Sequence, residues 1–198
     1  MAITERALTL EELLQLPEVD EKPYLELWDG VVRQKVSPQN RHGVLQGQLV
    51  EGLNRVARPK QLGLASTETR FKVNGGTAVP DVSYYRRERI PLLPNGQVRD
   101  DLLGPPDLAV EIVSPGQSVS ELVRKCVWYA DNGVRITLLV VPADEIVFDF
   151  RPGAPLRVLQ GTDRIDVDDV LPGFELTAAG LFDLLVPPWA RPAETREE

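Results

Sequence analysis

The sequence predicts an α/β (α+β) fold, a mixed β-sheet flanked by helices, with an N-terminal hairpin. Three observations support this fold class. Short apolar segments of strand length recur between residues 62 and 160. A helical repeat of apolar residues separates the strand-like segments 108–113 and 136–141, as in a strand–helix–strand crossover. Asp29-Gly30 separates two further strand-like segments and is a strong hairpin-turn signal.

The first third of the chain predicts a helix, the hairpin and a longer helix. Thr9 and Glu12 are spaced as a capping box for a helix over Thr9–Leu16. The hairpin strands are expected at Tyr24–Trp28 and Val31–Val36. The longer helix, about Asn40 to Ala57, has one apolar side formed by Leu45, Leu49, Leu53 and Val56.

The remaining elements follow from turn and capping signals. Ser118 and Glu121 predict the start of a helix that Asn132-Gly133 ends. Pro91–Pro106 is expected to be an irregular loop, and Asn74-Gly75-Gly76 a hairpin turn. Strands are predicted at Leu62–Ser66, Thr69–Val73, Ala78–Tyr85, Leu108–Val113, Ile136–Val141, Ile146–Phe150 and Leu156–Gln160, with a short helix near Ala178–Leu185.

Composition predicts one compact domain over residues 1–186 and a mobile tail over 187–198. The chain has 198 residues, of which 42% are hydrophobic and 26% charged, enough for a sizeable core. The single cysteine, Cys126, excludes an internal disulfide, and its place on the apolar side of a helix predicts core packing. No signal-like leader or membrane-length apolar segment is evident, so a soluble cytoplasmic protein without membrane contact is expected.

The formal net charge of −8 argues against a nucleic-acid partner, because such a molecule repels phosphates. The charge is unevenly distributed, however. Residues 144–198 contain twelve acids and five bases, and residues 31–60 contain one acid, Glu51, with six bases: Arg33, Lys35, Arg41, Arg55, Arg58 and Lys60. The basic segment is either a face for nucleic acid or simply a solvated surface.

Two acids lie in strand-like segments where an ionised side chain has no evident structural reason to be. Glu111 interrupts 108–113, and Asp81 follows Pro80 within 77–85. A lone buried carboxylate costs several kcal/mol unless a partner compensates it. If the strands are neighbours, both carboxylates can converge on a shared metal. Alternatively, each acid caps a strand end or pairs with an arginine, of which Arg86, Arg87 and Arg89 are near Asp81 in sequence.

Lys125 adds a cation to this pair. The helix of a crossover runs back along its strand, and seven helical residues rise about 10 Å, as do three strand residues. Lys125 can therefore lie level with Glu111. The alternative is a solvated lysine paired with Glu121, four residues earlier. With one histidine and one cysteine in the chain, a zinc cluster is excluded, and oxygen-ligated Mg²⁺ or Mn²⁺ is the expected metal.

The order and spacing of these residues resemble a known family. The matching segments are Tyr24–Gly30, Ser37-Pro38 followed by His42, Pro80-Asp81, Glu111–Pro115, Lys125 with Tyr129, and Leu171–Phe174. Together they resemble the bacterial Uma2 family of restriction endonuclease-like proteins, a branch of the PD-(D/E)XK nuclease superfamily. The resemblance covers roughly residues 9–185.

This resemblance implies a restriction-endonuclease-like core and a set of site residues. Asp81, Glu111 and the backbone carbonyl of Ile112 would hold the metal. The superfamily lysine usually stands two residues after the second acid, where this chain has Val113, and Lys125 resembles the relocated lysine of the family. Accessory candidates are Glu26, as an outer acid or an exposed hairpin acid, and His42, as a residue that orients water or phosphate or as a helix-surface residue. Lys72 is the fallback for Lys125.

The expected function is metal-dependent hydrolysis of nucleic-acid phosphodiester bonds, with DNA favoured over RNA and with a homodimer compatible with the sequence. Two alternatives stay open. The fold could serve as a catalytically inactive module that binds nucleic acid or protein, which the acidic net charge and the displaced lysine favour. It could also hydrolyse another phosphoester.

Overall fold

The computed structural model describes residues 8–36, 39–100 and 103–190. Single 3₁₀ turns occupy Pro17–Asp20, Arg87–Arg89 and Pro188–Ala190. The other regular elements, in chain order, are α1 (Leu10–Leu14), β1 (Leu25–Trp28), β2 (Val31–Gln34), α2 (Asn40–Ala57), β3 (Gly63–Thr67), β4 (Phe71–Val73), β5 (Gly76–Ala78), β6 (Val82–Arg86), β7 (Leu108–Ile112), α3 (Val119–Asp131), β8 (Ile136–Val141), β9 (Ile146–Phe150), β10 (Arg157–Leu159) and α4 (Ala178–Asp183).

Within the described residues, the strands form two sheets. The larger is mixed and has the order β10-β9-β8-β7-β6-β3, and the smaller has the order β2-β1-β5-β4. In the larger sheet β7 and β8 are parallel and are connected by α3, as expected for a crossover helix. The α/β prediction with a mixed sheet flanked by helices is confirmed. The N-terminal hairpin β1–β2 is also present, but it pairs with β5 and so belongs to the second sheet.

The predicted single strand Ala78–Tyr85 is wrong, because the chain changes sheets within it. Strand β5 ends at Ala78 in the smaller sheet and β6 begins at Val82 in the larger one. Pro80 lies in the break, where its lack of a backbone N–H removes a ladder hydrogen bond. Val82 pairs with Val110, and one more step of that antiparallel register places Asp81 opposite Glu111.

The larger sheet buries both of its faces. One face packs against α2 and α4, and its core includes Leu49, Leu53, Val110, Leu138, Leu181 and Phe182. The other face carries Ala109 and Leu139, which lie in clusters with Tyr129 and Cys126 of α3. Glu111 shares this second face with Ala109 because side chains alternate along a strand. The free thiol of Cys126 is buried, which confirms its predicted core packing.

Capping residues fix the ends of the helices that carry the candidate site. Ser118 caps α3 by accepting a hydrogen bond from the Glu121 backbone N–H, and Gly133 has a φ of +95° just after its end. Such a left-handed residue terminates a helix at little cost when it is glycine. The predicted capping box of Thr9 and Glu12 is also present at α1.

Some predicted features lie outside the described residues. Ser37-Pro38 and residues 191–198 of the proposed tail are among them. Within the described ranges, no helix is both long and apolar enough to cross a membrane.

Candidate active site

A cavity of about 280 Å³ opens between the β1–β2 hairpin and the first turns of α3. The side chains that line it include the predicted residues Glu26, His42, Asp81, Glu111 and Lys125, together with Lys35. Glu26, Asp81, Glu111 and Lys125 are each at most 3% exposed. The structure therefore brings together, in one place, the titratable side chains that the sequence singled out.

Asp81 is held on both carboxylate oxygens. Oδ1 accepts a hydrogen bond of 2.6 Å from Lys35 Nζ and lies 3.2 Å from His42 Nε2. Oδ2 accepts a 2.7 Å bond from the backbone N–H of Ile112. Burial opposes the charged form of Asp81, but the charge of Lys35 and the hydrogen bond from His42 outweigh it and hold the pKa below its ordinary value. Asp81 is thus strongly stabilised as a carboxylate.

Glu111 has a different balance. Its Oε1 accepts a 2.6 Å hydrogen bond from the Tyr129 hydroxyl and lies 3.0 Å from Lys125 Nζ. Burial raises the pKa of Glu111 above its ordinary value against the opposing charges of Lys125 and Lys35. The pKa of Lys125 is also raised, but there burial opposes the shift and the charges of Glu111 and Glu26 overcome it. Lys125 is therefore an ammonium ion at neutral pH.

The expectation that Lys125 could pair with Glu121 on the helix surface is wrong. Lys125 Nζ donates a 2.8 Å hydrogen bond to Glu26 Oε1, while Glu121 binds Arg33 at 3.1 Å. Lys125 lies level with Glu111, as the strand and helix rises predicted. Its ammonium bridges a carboxylate of each sheet, Glu26 on β1 and Glu111 on β7.

Glu26 is not the exposed hairpin acid that the sequence allowed. It is 3% exposed, and its Oε1 accepts a 2.7 Å hydrogen bond from the backbone N–H of Val79 in addition to the bond from Lys125. Val79 lies in the break between β5 and β6. Glu26 therefore ties the hairpin to the segment that positions Asp81.

His42 is likewise not a helix-surface residue, because it is 5% exposed near the start of α2. Its Nδ1 lies 3.0 Å from the Ser114 hydroxyl, and a carboxylate can only accept, so the nitrogen facing Asp81 must carry the proton. Gln46, one turn further on, donates a 2.8 Å hydrogen bond to the Asp81 backbone oxygen. Helix α2 thus contacts both the carboxylate and the backbone carbonyl of Asp81.

Lys35 is the site residue that sequence reasoning missed, since it was counted only within the basic segment. Strand parity could have found it. Glu26 pairs with Arg33 across the hairpin, and Lys35 lies two residues beyond Arg33, so all three share a face. The arginines proposed as partners of Asp81 lie elsewhere: Arg86 and Arg89 bind Asp107. The fallback Lys72 is exposed on β4.

The donor set suits a hard divalent cation. Asp81 and Glu111 supply carboxylate oxygens, which Mg²⁺ and Mn²⁺ prefer. Within the described residues, however, no three His, Cys, Asp or Glu side chains are arranged closely enough to hold an ion. The cations beside these oxygens are the ammonium groups of Lys35 and Lys125.

A second cavity of about 640 Å³ adjoins the first and shares His42, Gly116 and Gln117 with it. Its walls include Val113, Val119 and Val141, and Arg41 lies at its rim. The two cavities lie side by side along the starts of α2 and α3, and together they are called the groove below.

Comparisons with known proteins agree with this architecture. The family model Uma2, described as "Putative restriction endonuclease", matches residues 10–179. The crystal structure of a "putative nuclease belonging to DUF820" from Anabaena variabilis ATCC 29413 is similar, with a TM-score of 0.83 and 31% sequence identity. That match covers 90% of this chain and 99% of the other. No curated protein matches the chain.

Proposed function

Because the chain belongs to the Uma2 family, we propose that it is a metal-dependent endonuclease that hydrolyses phosphodiester bonds of nucleic acid, DNA in preference to RNA. The family description and the nuclease of similar structure both support a nuclease. The observation that carries the proposal is the convergence of Glu26, Asp81, Glu111 and Lys125 in one buried cluster that opens to a cavity.

In this proposal Asp81, Glu111 and the backbone carbonyl of Ile112 hold Mg²⁺ or Mn²⁺. When bound, such an ion polarises the scissile phosphate and lowers the pKa of a bound water. The Ile112 N–H fixes one oxygen of Asp81, and the Tyr129 hydroxyl fixes one oxygen of Glu111. These contacts orient the carboxylates before substrate arrives, which avoids reorganisation during the reaction.

Lys125 is proposed to stabilise the negative charge that develops on the phosphoryl oxygens. Its ammonium is buried beside Glu111, where low polarity strengthens its interaction with a charge in the cavity. His42 is proposed to orient water or phosphate through the nitrogen that faces Asp81. Glu26 keeps Lys125 in place through the 2.8 Å hydrogen bond.

Electrostatics give the metal a second role in this proposal. The cluster contains three carboxylates and two ammonium groups, so it has one net negative charge when all are ionised. The groups belong to Glu26, Asp81, Glu111, Lys35 and Lys125. A divalent cation reverses that sign, so metal binding turns a cluster that repels phosphate into one that attracts it. An overall charge of −8 is then compatible with a nucleic-acid substrate.

The test is cleavage of supercoiled plasmid DNA and of a structured RNA by the purified protein. We expect nicked and linear DNA in Mn²⁺ or Mg²⁺, no product in EDTA, and loss of activity in Asp81→Asn. Cleavage that survives EDTA would contradict the metal-dependent mechanism. Binding without cleavage in either metal would instead favour the inactive module, for which the occupation of both carboxylates by lysines is the supporting observation.

The homodimer and the cytoplasmic location stay predictions. If the protein hydrolyses a small phosphodiester but neither DNA nor RNA, the result would favour the hydrolysis of another phosphoester.

A further inference from the structure

Lys35 occupies an unusual position, because its ammonium lies directly on the carboxylate proposed to bind the metal. Nζ is 2.6 Å from Asp81 Oδ1 and 2.7 Å from the backbone oxygen of Val79. The side chain is 8% exposed. Both contacts are with oxygen atoms, so the ammonium occupies a site that is built from the same donors as a cation site.

Access to Asp81 is restricted by its other contacts. The backbone N–H of Ile112 holds Oδ2 at 2.7 Å, and His42 Nε2 lies 3.2 Å from Oδ1. A carboxylate has about four lone-pair positions, and these three donors use most of them. A divalent cation that bonds to Asp81 must also overcome the repulsion of an ammonium on the same carboxylate.

Lys35 and Lys125 differ in how many carboxylates each ammonium contacts, and therefore in whether it can move away. Lys125 also lines the cavity, but its side chain is only 4% exposed and is shared between Glu26 and Glu111. Lys35 follows the end of β2 and lies at the wall of the cavity beside Gln34 and Val36, so its flexible stem can carry the ammonium into the open space. Only Lys35 can leave without uncovering two carboxylates.

We propose that Lys35 is an internal counter-cation that occupies Asp81 Oδ1, a proposed metal-binding oxygen, in the ion-free protein and is displaced from it when Mg²⁺ or Mn²⁺ binds. This inference rests on the proposed function and identifies a residue that regulates metal loading. Without an ion, Lys35 prevents repulsion between Asp81 and Glu111. With an ion, the ammonium moves into the cavity, where it faces the phosphate backbone.

The first measurement is the affinity for Mn²⁺ alone, by calorimetry, in the wild type and in Lys35→Met. An apparent dissociation constant equals the intrinsic one divided by the fraction of competent molecules, so if the ammonium is off Asp81 in about one molecule in ten, its removal raises affinity about tenfold. Lys60→Met, which removes an exposed charge beyond the far end of α2, is the control and should bind as the wild type does. Asp81→Asn combined with Lys35→Met should lose the gain.

The second measurement keeps the wild-type sequence and does not depend on the folding of a variant. An amine-reactive acetylating reagent, followed by mass spectrometry, reports the accessibility of each lysine. We expect Lys35 to be protected in EDTA and modified in saturating Mn²⁺, with Lys125 protected in both and Lys60 modified in both.

The outcomes separate this inference from the nuclease proposal. Equal Mn²⁺ affinity in the wild type and Lys35→Met, or a Lys35 that stays protected in saturating Mn²⁺, would overturn the displacement while leaving metal-dependent cleavage intact. Weaker binding in Lys35→Met would make Lys35 a residue that positions the site for metal, contrary to the inference. Failure of both proteins to bind Mn²⁺ would remove the metal from the proposed function and the displacement with it.

Discussion

At the scale of single residues, the buried charges differ in how strongly the protein favours their ionised forms. The pKa of Asp81 is lowered, since Lys35 and His42 outweigh the effect of burial. The pKa of Glu111 is raised, because burial outweighs Lys125. Neutralising these two acids should therefore have different effects on stability, although both are proposed metal ligands.

Asp81→Asn should lower the free energy of unfolding by about 3 kcal/mol or more, since it leaves the ammonium of Lys35 buried without a charged partner. Glu111→Gln should cost about 1 kcal/mol or less, because the amide oxygen can still accept from Tyr129 and Lys125 keeps Glu26. Denaturant unfolding measures both. Both substitutions should weaken Mn²⁺ binding.

The pH dependence provides the control for that prediction. A lowered carboxyl pKa gives stability that is present above the unfolded value, about 3.9, and is lost as the pH falls toward the folded value. The difference between the wild type and Asp81→Asn should thus be full at pH 6 and shrink below about pH 4. A difference that stays constant over this range would show that Asp81 stabilises the fold through packing rather than charge.

Lys125→Met tests the cation that bridges the two sheets. It should reduce single-turnover cleavage about 10²-fold or more, equivalent to a few kcal/mol of transition-state stabilisation. It should also lower stability by about 3 kcal/mol, because Glu26 and Glu111 lose their shared partner. Glu121→Gln, which alters only the partly exposed pair with Arg33, should change stability by tenths of a kcal/mol. Full activity in Lys125→Met would contradict the role of the relocated lysine.

At the scale of elements, the parts predicted well are those with local signals. Helix α2 begins and ends at the predicted residues, and α3 begins after Ser118 because that hydroxyl satisfies a free backbone N–H. The split between β5 and β6 was missed although Pro80 marks it, because the apolar residues on either side give no sign that the chain passes from one sheet to another. The contact of Lys35 with Asp81 was missed for a similar reason, as it joins positions 46 residues apart.

Two glycine-to-alanine substitutions should have opposite effects on stability. A Cβ at Gly76 in β5 would lie 2.6 Å from the Trp128 ring of α3 and 2.8 Å from the Leu27 carbonyl oxygen, so overpacking should cost about 1–3 kcal/mol. At Gly47 in α2 a Cβ meets nothing within 4 Å, and alanine should stabilise the helix by up to about 1 kcal/mol. Thermal melting of each variant measures the sign.

The Gly76→Ala result also reports on the site, because the same sheet carries Glu26. We expect Gly76→Ala to reduce cleavage, and to reduce it more the further β1 shifts relative to α3. Cleavage by Gly47→Ala should be unchanged. A stable, fully active Gly76→Ala protein would show that the packing of Trp128 against the smaller sheet does not position Glu26.

At the scale of the whole molecule, the basic segment 31–60 is not one continuous surface. Lys35 is buried in the site, Arg33 binds Glu121, and Arg55 binds Glu51 at 2.6 Å. Helix α2 has 18 residues and is about 27 Å long, which separates the basic residues at its two ends. Arg33 and Lys35 line the groove but are held by acids, whereas Arg41, at the start of α2, lines it and is exposed.

Arg41 should therefore be the base of α2 that contributes most to DNA binding. Its exposed guanidinium donates a 3.2 Å hydrogen bond to the Pro142 carbonyl oxygen at the groove rim, and its remaining N–H groups can reach a phosphate. Each neutralised phosphate adds about 0.9 to the salt slope of log affinity. Arg41→Gln should thus lower that slope by about one in a titration of labelled duplex DNA, with EDTA present to prevent cleavage.

Arg58→Gln is the matched control, because Arg58 caps the other end of α2 and is also exposed. It removes the same charge, so any effect of net charge alone should appear equally in both variants. A slope that falls in Arg41→Gln and stays unchanged in Arg58→Gln would place the DNA along the groove at the starts of α2 and α3. Equal reductions would instead mean that DNA follows the length of α2, which would leave the second cavity outside the path of the substrate.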